Sequence, residues 1–262
     1  MPILSISFLI FVTCASIVYA FFPGVFIYDH VSISINEILH PPSFTHFLGT
    51  DALGRDILVR LIRGAQTSLS IAFSTAAIAL MIGVSLAACA AYIGGKVDFL
   101  ILRFIDFIYS LPDLLVLSII SLMFSRSSGA IVVGLAFINW MEIARITRAE
   151  LIRLKEDEFI KASYLIGLSH WGIITKHLIP NAATLILVSL GFTLPRAILS
   201  ESTLSFIGLG ISPPNTSWGT IAGDSFQYIR TNPLLLLFPA LLIFLTSLSF
   251  NRIADYYSSH NK

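Results

Sequence analysis

Residues 158–180 read EFIKASYLIGLSHWGIITKHLIP, a helix-patterned stretch that carries Glu158, Lys161 and Lys176 together with His170 and His177. Apolar runs flank it, 129–147 before and 181–203 after, each near the roughly 20 residues that cross a bilayer as a helix. A charged insertion between two such runs has to lie in water or against another protein. The stretch therefore reads as a docking surface on a membrane protein.

Composition points the same way. Of 262 residues 56% are hydrophobic and only 12% charged, where soluble domains carry about 25% charged residues. Mean hydropathy is +0.86. The net charge of +1 gathers into no basic face, so nothing suggests a nucleic-acid partner. Cys14 and Cys89 lie in apolar runs, which argues against a disulfide framework or zinc site and for a packing role. The six histidines show no H-E-x-x-H or other tight ligand spacing, and no metal site is expected.

Hydropathy gives six spans, at 3–22, 68–93, 100–124, 129–147, 181–203 and 234–251. The first lacks a basic leader and is long enough to cross the hydrocarbon core, so it reads as a transmembrane helix and not a signal peptide. The missing basic residue ahead of it suggests a shortened start. Pro112, Pro195 and Pro239 fall inside spans and are expected to kink them without breaking the helix. Arg145, Arg148, Arg153, Lys155, Lys161 and Lys176 form the densest basic cluster, which places the 158–180 loop, and with six spans both termini, in the cytoplasm.

On the outer side, the periodicity of 56–64, with Ile57, Leu58, Leu61 and Ile62 opposed to Asp56, Arg60 and Arg63, predicts an amphipathic helix lying on the membrane surface. Residues 208–232, with a Pro213–Pro214 turn and Trp218 suited to the membrane interface, are expected to form an outer lid or re-entrant element. The chain then divides into an N-terminal helix with an extracytoplasmic segment, 1–64, and a transmembrane domain, 65–255.

Within the opening stretch, Lys161, Ala162 and Ser163, then Gly167, then His177, Leu178, Ile179 and Pro180 have the spacing of the EAA loop, E-A-A-x3-G-x9-I-x-L-P, of the membrane subunits of bacterial ABC importers. Small Ala162 and Ser163 let a short helix enter a partner's cleft, Gly167 permits a sharp turn, and Pro180 opens the next span where no amide donor is required. Lys161 stands where the pattern has glutamate and His177 where it has isoleucine, leaving Glu158 as the candidate to serve for that glutamate. Residues 46–56, HFLGTDALGRD, resemble the H-x-L-G-T-D-x-L-G-R-D signature of the peptide and nickel permeases OppC, DppC and NikC. Residues 204–210, LSFIGLG, with Pro214, Trp218 and Gly219, are similar to that group's L-S-F-L-G-L-G-x3-P-x3-W-G segment. Trp140, Ala144, Arg145 and Arg148 match its W-x3-A-R-x2-R. Together these motifs cover nearly the whole chain in order.

The resemblance implies an all-α, six-span permease subunit of the MetI-like ABC importer fold in the bacterial inner membrane. It implies as partners a second homologous permease, two cytoplasmic ABC ATPases that use ATP and Mg, and an extracytoplasmic substrate-binding protein. The implied substrate is a short peptide or, alternatively, a nickel chelate. No cofactor and no catalysis are expected of this chain, because Gly94-Gly95-Lys96 is followed by Val97 and lacks the first glycine of G-x4-G-K-S/T. A stand-alone secondary transporter would need its own coupling-ion site and no docking loop. An intramembrane enzyme would need a nucleophile with its base, or a metal motif.

Asp106, Asp113, Glu142, Arg145, Arg196 and Glu201 lie in or near spans, a costly placement that makes them functional candidates. Arg103 and Asp106, three apart on one helix face, are candidates for a pair. Arg196 and Glu201 are candidates for the pathway or gate, since the fifth span leads into the outer segment. Asp51, Arg55, Asp56 and Trp218 are candidates for outer contact. The structural alternative is a turn in which Asp51 or Asp56 caps the surface helix.

Overall fold

The structure, a computed structural model, describes residues 3–22 and 28–260. In chain order the helices are α1 (Ile3–Phe21), α2 (Ile57–Ile93), α3 (Gly95–Tyr109), α4 (Asp113–Met123), α5 (Ser128–Lys155), α6 (Glu158–Leu165), α7 (His170–Ile173), α8 (Ile179–Phe206), α9 (Trp218–Phe226) and α10 (Leu234–His260). A 3₁₀ turn lies at Ile35–Glu37, and a π-helical turn at Ile174–Leu178 joins α7 to α8. Five helical runs are long and apolar enough to cross a membrane, and α3 with α4 makes a sixth crossing if the bent pair counts as one.

The centre of the bundle is the crossing of α2 and α5. One side of α2 carries Ala65, Ala72, Ala76, Ala79, Gly83 and Ala87, all buried, and small residues let helix backbones approach closely. A Cβ on Gly83 would stand 2.8 Å from the carbonyl oxygen of Trp140, so the crossing leaves no room for a side chain there. Ile131, Leu135, Met141 and Ile143 of α5 and Leu194, Ala197 and Ile198 of α8 complete this apolar cluster. A second, smaller cluster joins the far ends of the same helices. Ala87 and Ala91 of α2, Leu151 and Leu154 of α5, and Ala182 and Ile186 of α8 there enclose Ile160 and Ile173.

Four expectations are corrected. Pro112 has no amide hydrogen to give a helix and disfavours helical backbone at Leu111, so the 100–124 span is broken into α3 and α4, set at 86° to each other. Pro195 and Pro239, by contrast, remain inside α8 and α10. The surface helix expected at 56–64 is the start of α2, which runs 37 residues without a break. That is about 55 Å, well beyond a hydrocarbon core of roughly 30 Å. Ile57, Leu61 and even Arg60 are buried there, because protein and not lipid headgroups covers this end of the helix. Cys14 and Cys89 are exposed and not among the buried core residues, and on α2 the buried positions beside Cys89 are taken by the smaller Ala87, Ala88, Ala90 and Ala91. Trp218, expected at the membrane interface, is fully buried.

Candidate functional site

At the end of α5, the Lys155 ammonium donates to the carbonyl oxygen of Ala91 at 2.8 Å, tying the loop that follows to the end of α2. Helix α6 then lies across the second cluster with Ile160 fully buried. Ser163 also turns inward and donates its hydroxyl to the Phe159 carbonyl at 2.8 Å, so it faces its own chain. Glu158, Lys161 and Ala162 are exposed on the other side. Lys161 lies 3.4 Å from Glu156, an exposed pair that contributes little in water.

Gly167 ends α6 with a φ of +80°. Its N–H donates to the Tyr164 carbonyl at 3.1 Å and the Leu168 N–H to the Ser163 carbonyl at 3.2 Å, the paired bonds of a Schellman cap that glycine adopts without a Cβ clash. The span that follows begins earlier than Pro180. The helical run extends from His170 to Phe206, and the π turn widens the backbone just ahead of the residue that brings no donor. Around this turn the apolar side chains of Leu165, Ile166 and Trp171 are 89%, 77% and 73% exposed. Exposed apolar side chains this close in sequence to a charged loop fit an interaction surface.

At the opposite end of the bundle, residues 46–56 fold into a polar clasp. The Asp51 carboxylate accepts N–H bonds from Leu53 (2.8 Å) and Arg55 (3.0 Å), a 2.8 Å bond from Arg55 Nε and one from Arg60. Burial pushes its pKa up, but Arg60, the two backbone N–H groups and Arg55 outweigh burial and hold the carboxyl below its ordinary value. Asp56 caps α2, accepting from the Val59 N–H at 2.9 Å, and lies 2.8 Å from His46 Nδ1. Arg60 reaches on to Asp224 of α9 at 3.0 Å. The Trp218 indole N–H donates to the Leu61 carbonyl at 3.0 Å. Asp51, Asp56 and Trp218 are thus engaged inside the chain, while Arg55 stays partly open.

Glu201 is fully buried. Its carboxyl accepts from the Ser205 hydroxyl at 2.7 Å and the Ser68 hydroxyl at 3.2 Å, and Ser68 in turn accepts from the Trp218 N–H at 3.3 Å. The group ties α8, α2 and α9 together and faces no opening. Arg196 is different. It pairs with Glu142 of α5 and is half-exposed, and nearby Arg145 pairs with Asp106 while its guanidinium sits 4.9 Å from the Tyr109 ring centre. The expected Arg103–Asp106 pair does not form, because Asp106 reaches across to α5 and Arg103 lies over Phe99 at 5.0 Å.

Sequence reasoning missed Arg60 and Asp224 as partners. Arg60 fell on the polar side of a helix judged to lie on the surface, and Asp224 sits in no local motif. Only the folding of α9 against α2 brings them together.

The profile of the family described as binding-protein-dependent transport system inner membrane component matches residues 79–261. The oligopeptide permease protein OppC of Bacillus subtilis is 35% identical over 228 residues, 87% of this chain and 75% of that protein. The dipeptide permease protein DppC of the same organism is 39% identical over 235 residues, 88% of this chain and 73% of that protein. OppC of Haemophilus influenzae is 36% identical over 247 residues, 94% of this chain and 78% of that protein. Among solved structures, a chain of the MetNI methionine ABC transporter in an inward-facing conformation matches with a TM-score of 0.59 at 20% identity, over 77% of this chain and 96% of that one, a likeness of fold. The chain belongs to the family of binding-protein-dependent transport system inner membrane components.

Proposed function

We propose that this chain is one of two permease subunits of an ATP-driven importer of short peptides. The peptide reading rests on the names of the OppC and DppC relatives. In the complex, two cytoplasmic ATPases bind the α6 loop and use ATP and Mg, and an extracytoplasmic binding protein delivers the peptide to the other end. Both termini lie in the cytoplasm. The observation that carries the docking assignment is the apolar exposure of Leu165 and Ile166 at the end of α6 and of Trp171 on α7, next to a short helix whose Ile160 is fully buried. A surface that is apolar, exposed and rigidly backed is suited to receive and transmit movement of a partner. Glu158, Lys161 and Ala162 lie on the same helix, Gly167 ends it, and Pro180 lies in the first turn of α8 above.

The half-exposed charges at Asp106, Glu142, Arg145 and Arg196 face the pathway in this reading. Each would cost about 2.5–3.5 kcal/mol against lipid at mid-membrane depth. ATPase closure then moves α6 as a rigid body and tilts α5 and α8, which carry those pairs. Affinity purification of the tagged chain from gently solubilised membranes tests the assignment, with mass spectrometry of what accompanies it. The wild type is expected to bring a second permease and two P-loop ATPases, and Gly167→Pro to lose the ATPases. A chain that purifies alone while still transporting refutes the reading.

A further inference from the structure

A cavity of about 370 Å³ opens beside the clasp, between the end of α8 and α9, and its wall includes Arg55, Arg60, Arg126, His30, Asn215 and Asp224. Its charges do not balance. Arg55 and Arg60 share two carboxylates, Asp51 and Asp224. Arg126 has none: its Nε–H donates to the carbonyl of Gly210 at 3.1 Å, and no carboxylate among the described residues pairs with it. Arg60 is 4% exposed, and its Nε–H is buried with no acceptor among the described residues. The turn that presents Arg126 is itself unusual, with φ of 57° at Ser125 and 51° at Arg126, a backbone conformation that residues other than glycine adopt uncommonly. It is held by the Arg126 N–H to the Ser121 carbonyl at 2.8 Å and the Ser212 N–H to the Arg126 carbonyl at 3.0 Å.

We propose that this cavity is a carboxylate-binding site in which Arg126, with Arg55 beside it, receives a single anionic group at the extracytoplasmic face. One uncompensated guanidinium calls for a monoanion, and the planar fork of arginine donors matches a carboxylate with two parallel hydrogen bonds. The carboxylate comes from an acidic side chain of the binding protein or from the C-terminus of the delivered peptide. The proposal rests on the importer reading, because that reading puts the cavity outside the membrane.

The test uses the purified complex in lipid nanodiscs and two readouts. In a Cys14→Ser/Cys89→Ser background, Asn215→Cys places a thiol in the cavity wall. It is expected to react several-fold faster with an anionic methanethiosulfonate than with a cationic one, and Arg126→Gln is expected to abolish that preference. Equal rates in the parent overturn the proposal, whatever the transporter imports. The second readout is the concentration of binding protein that half-stimulates ATPase activity. Arg126→Gln is expected to raise it at least about tenfold, as truncation of a paired charge does, with Arg126→Lys intermediate and exposed Arg230→Gln unchanged. A rise seen without peptide assigns the carboxylate to the binding protein. A rise confined to peptides with a free C-terminus, and absent with their amides, assigns it to the substrate. Unaltered stimulation in Arg126→Gln overturns the proposal. An Asn215→Cys parent complex that shows the thiol-reagent preference but answers to no binding protein would sink the importer reading and leave the anion site standing.

Discussion

Asp51→Asn keeps the shape of the side chain at the centre of the clasp and removes its charge. Arg60 is almost wholly buried and holds two carboxylates, Asp51 inside and the half-exposed Asp224 at the rim. Removing one partner of a buried pair costs about 3–5 kcal/mol. Because Asp224 still pairs with Arg60, the expected loss falls below that range, at about 2–3 kcal/mol. For a chain of this size that lowers the melting temperature by roughly 4–12 °C. The effect has a pH signature. The Asp51 carboxyl lies below its ordinary value in the folded chain, so its stabilisation is fully present above the unfolded value of about 3.9 and fades as pH falls through the folded one. Wild type and variant therefore converge in acid. Thermal melts of the detergent-solubilised complex, followed by tryptophan fluorescence with buried Trp218 as reporter, measure both effects. A variant that melts within about 1 °C of wild type at neutral pH, or a gap that widens toward pH 4, refutes the assignment of the clasp to a buried charge network.

Gly219→Ala would bring a Cβ within 2.6 Å of the Ser202 Cα and carbonyl oxygen; overpacking of about 1–3 kcal/mol is expected to lift α9 and shift the Trp218 emission to the red. Glu201→Leu leaves the Ser68 and Ser205 hydroxyls without their shared acceptor. It should destabilise by about 1–3 kcal/mol, with Glu201→Gln milder in the same melts. Arg196→Gln and Glu142→Gln should each reduce assembled complex, and the double variant should lose less than the sum, a coupling read by quantifying membrane-extracted complex for the four forms.

Long apolar runs and a charged insertion are visible locally, and the bundle and its loop were therefore legible in the sequence. Gly167 is the clearest case: a helix-ending glycine has one physical use, and the Schellman bonds supply it. The errors came where one neighbour decides the outcome. Ile57 and Leu61 alternate with Arg60 and Arg63 as they would on a membrane surface, yet the clasp and α9 bury this face, Arg60 included. Trp218 likewise has the chemistry of an interface anchor and finds its hydrogen-bond partner in the Leu61 carbonyl. Ser163, small in the motif for a partner's sake by spacing, is turned inward because Ile160 takes the buried position one turn earlier. Helical periodicity records that a side is apolar and leaves open whether lipid or protein covers it.

That distinction bears on how the docking loop transmits force, because its two sides have separable roles. Ile160 is buried in one apolar cluster with residues at the ends of α2, α5 and α8, while Leu165, Ile166 and Trp171 are exposed. Ile160→Ala should therefore leave the outward surface intact and loosen its mounting. Loss of a fully buried isoleucine costs about 2–5 kcal/mol of local packing, enough to let α6 shift against the three spans without unfolding them. The expected phenotype is a complex that still copurifies with its ATPases and hydrolyses ATP but transports several-fold less per ATP. Leu165→Ala combined with Ile166→Ala should do the reverse, weakening ATPase recovery in proportion to the loss of transport. Should Ile160→Ala shed the ATPases as readily as the outer double variant, the two sides of α6 would not be separable. The loop would then act by its presence alone and not as a rigid lever on α2, α5 and α8.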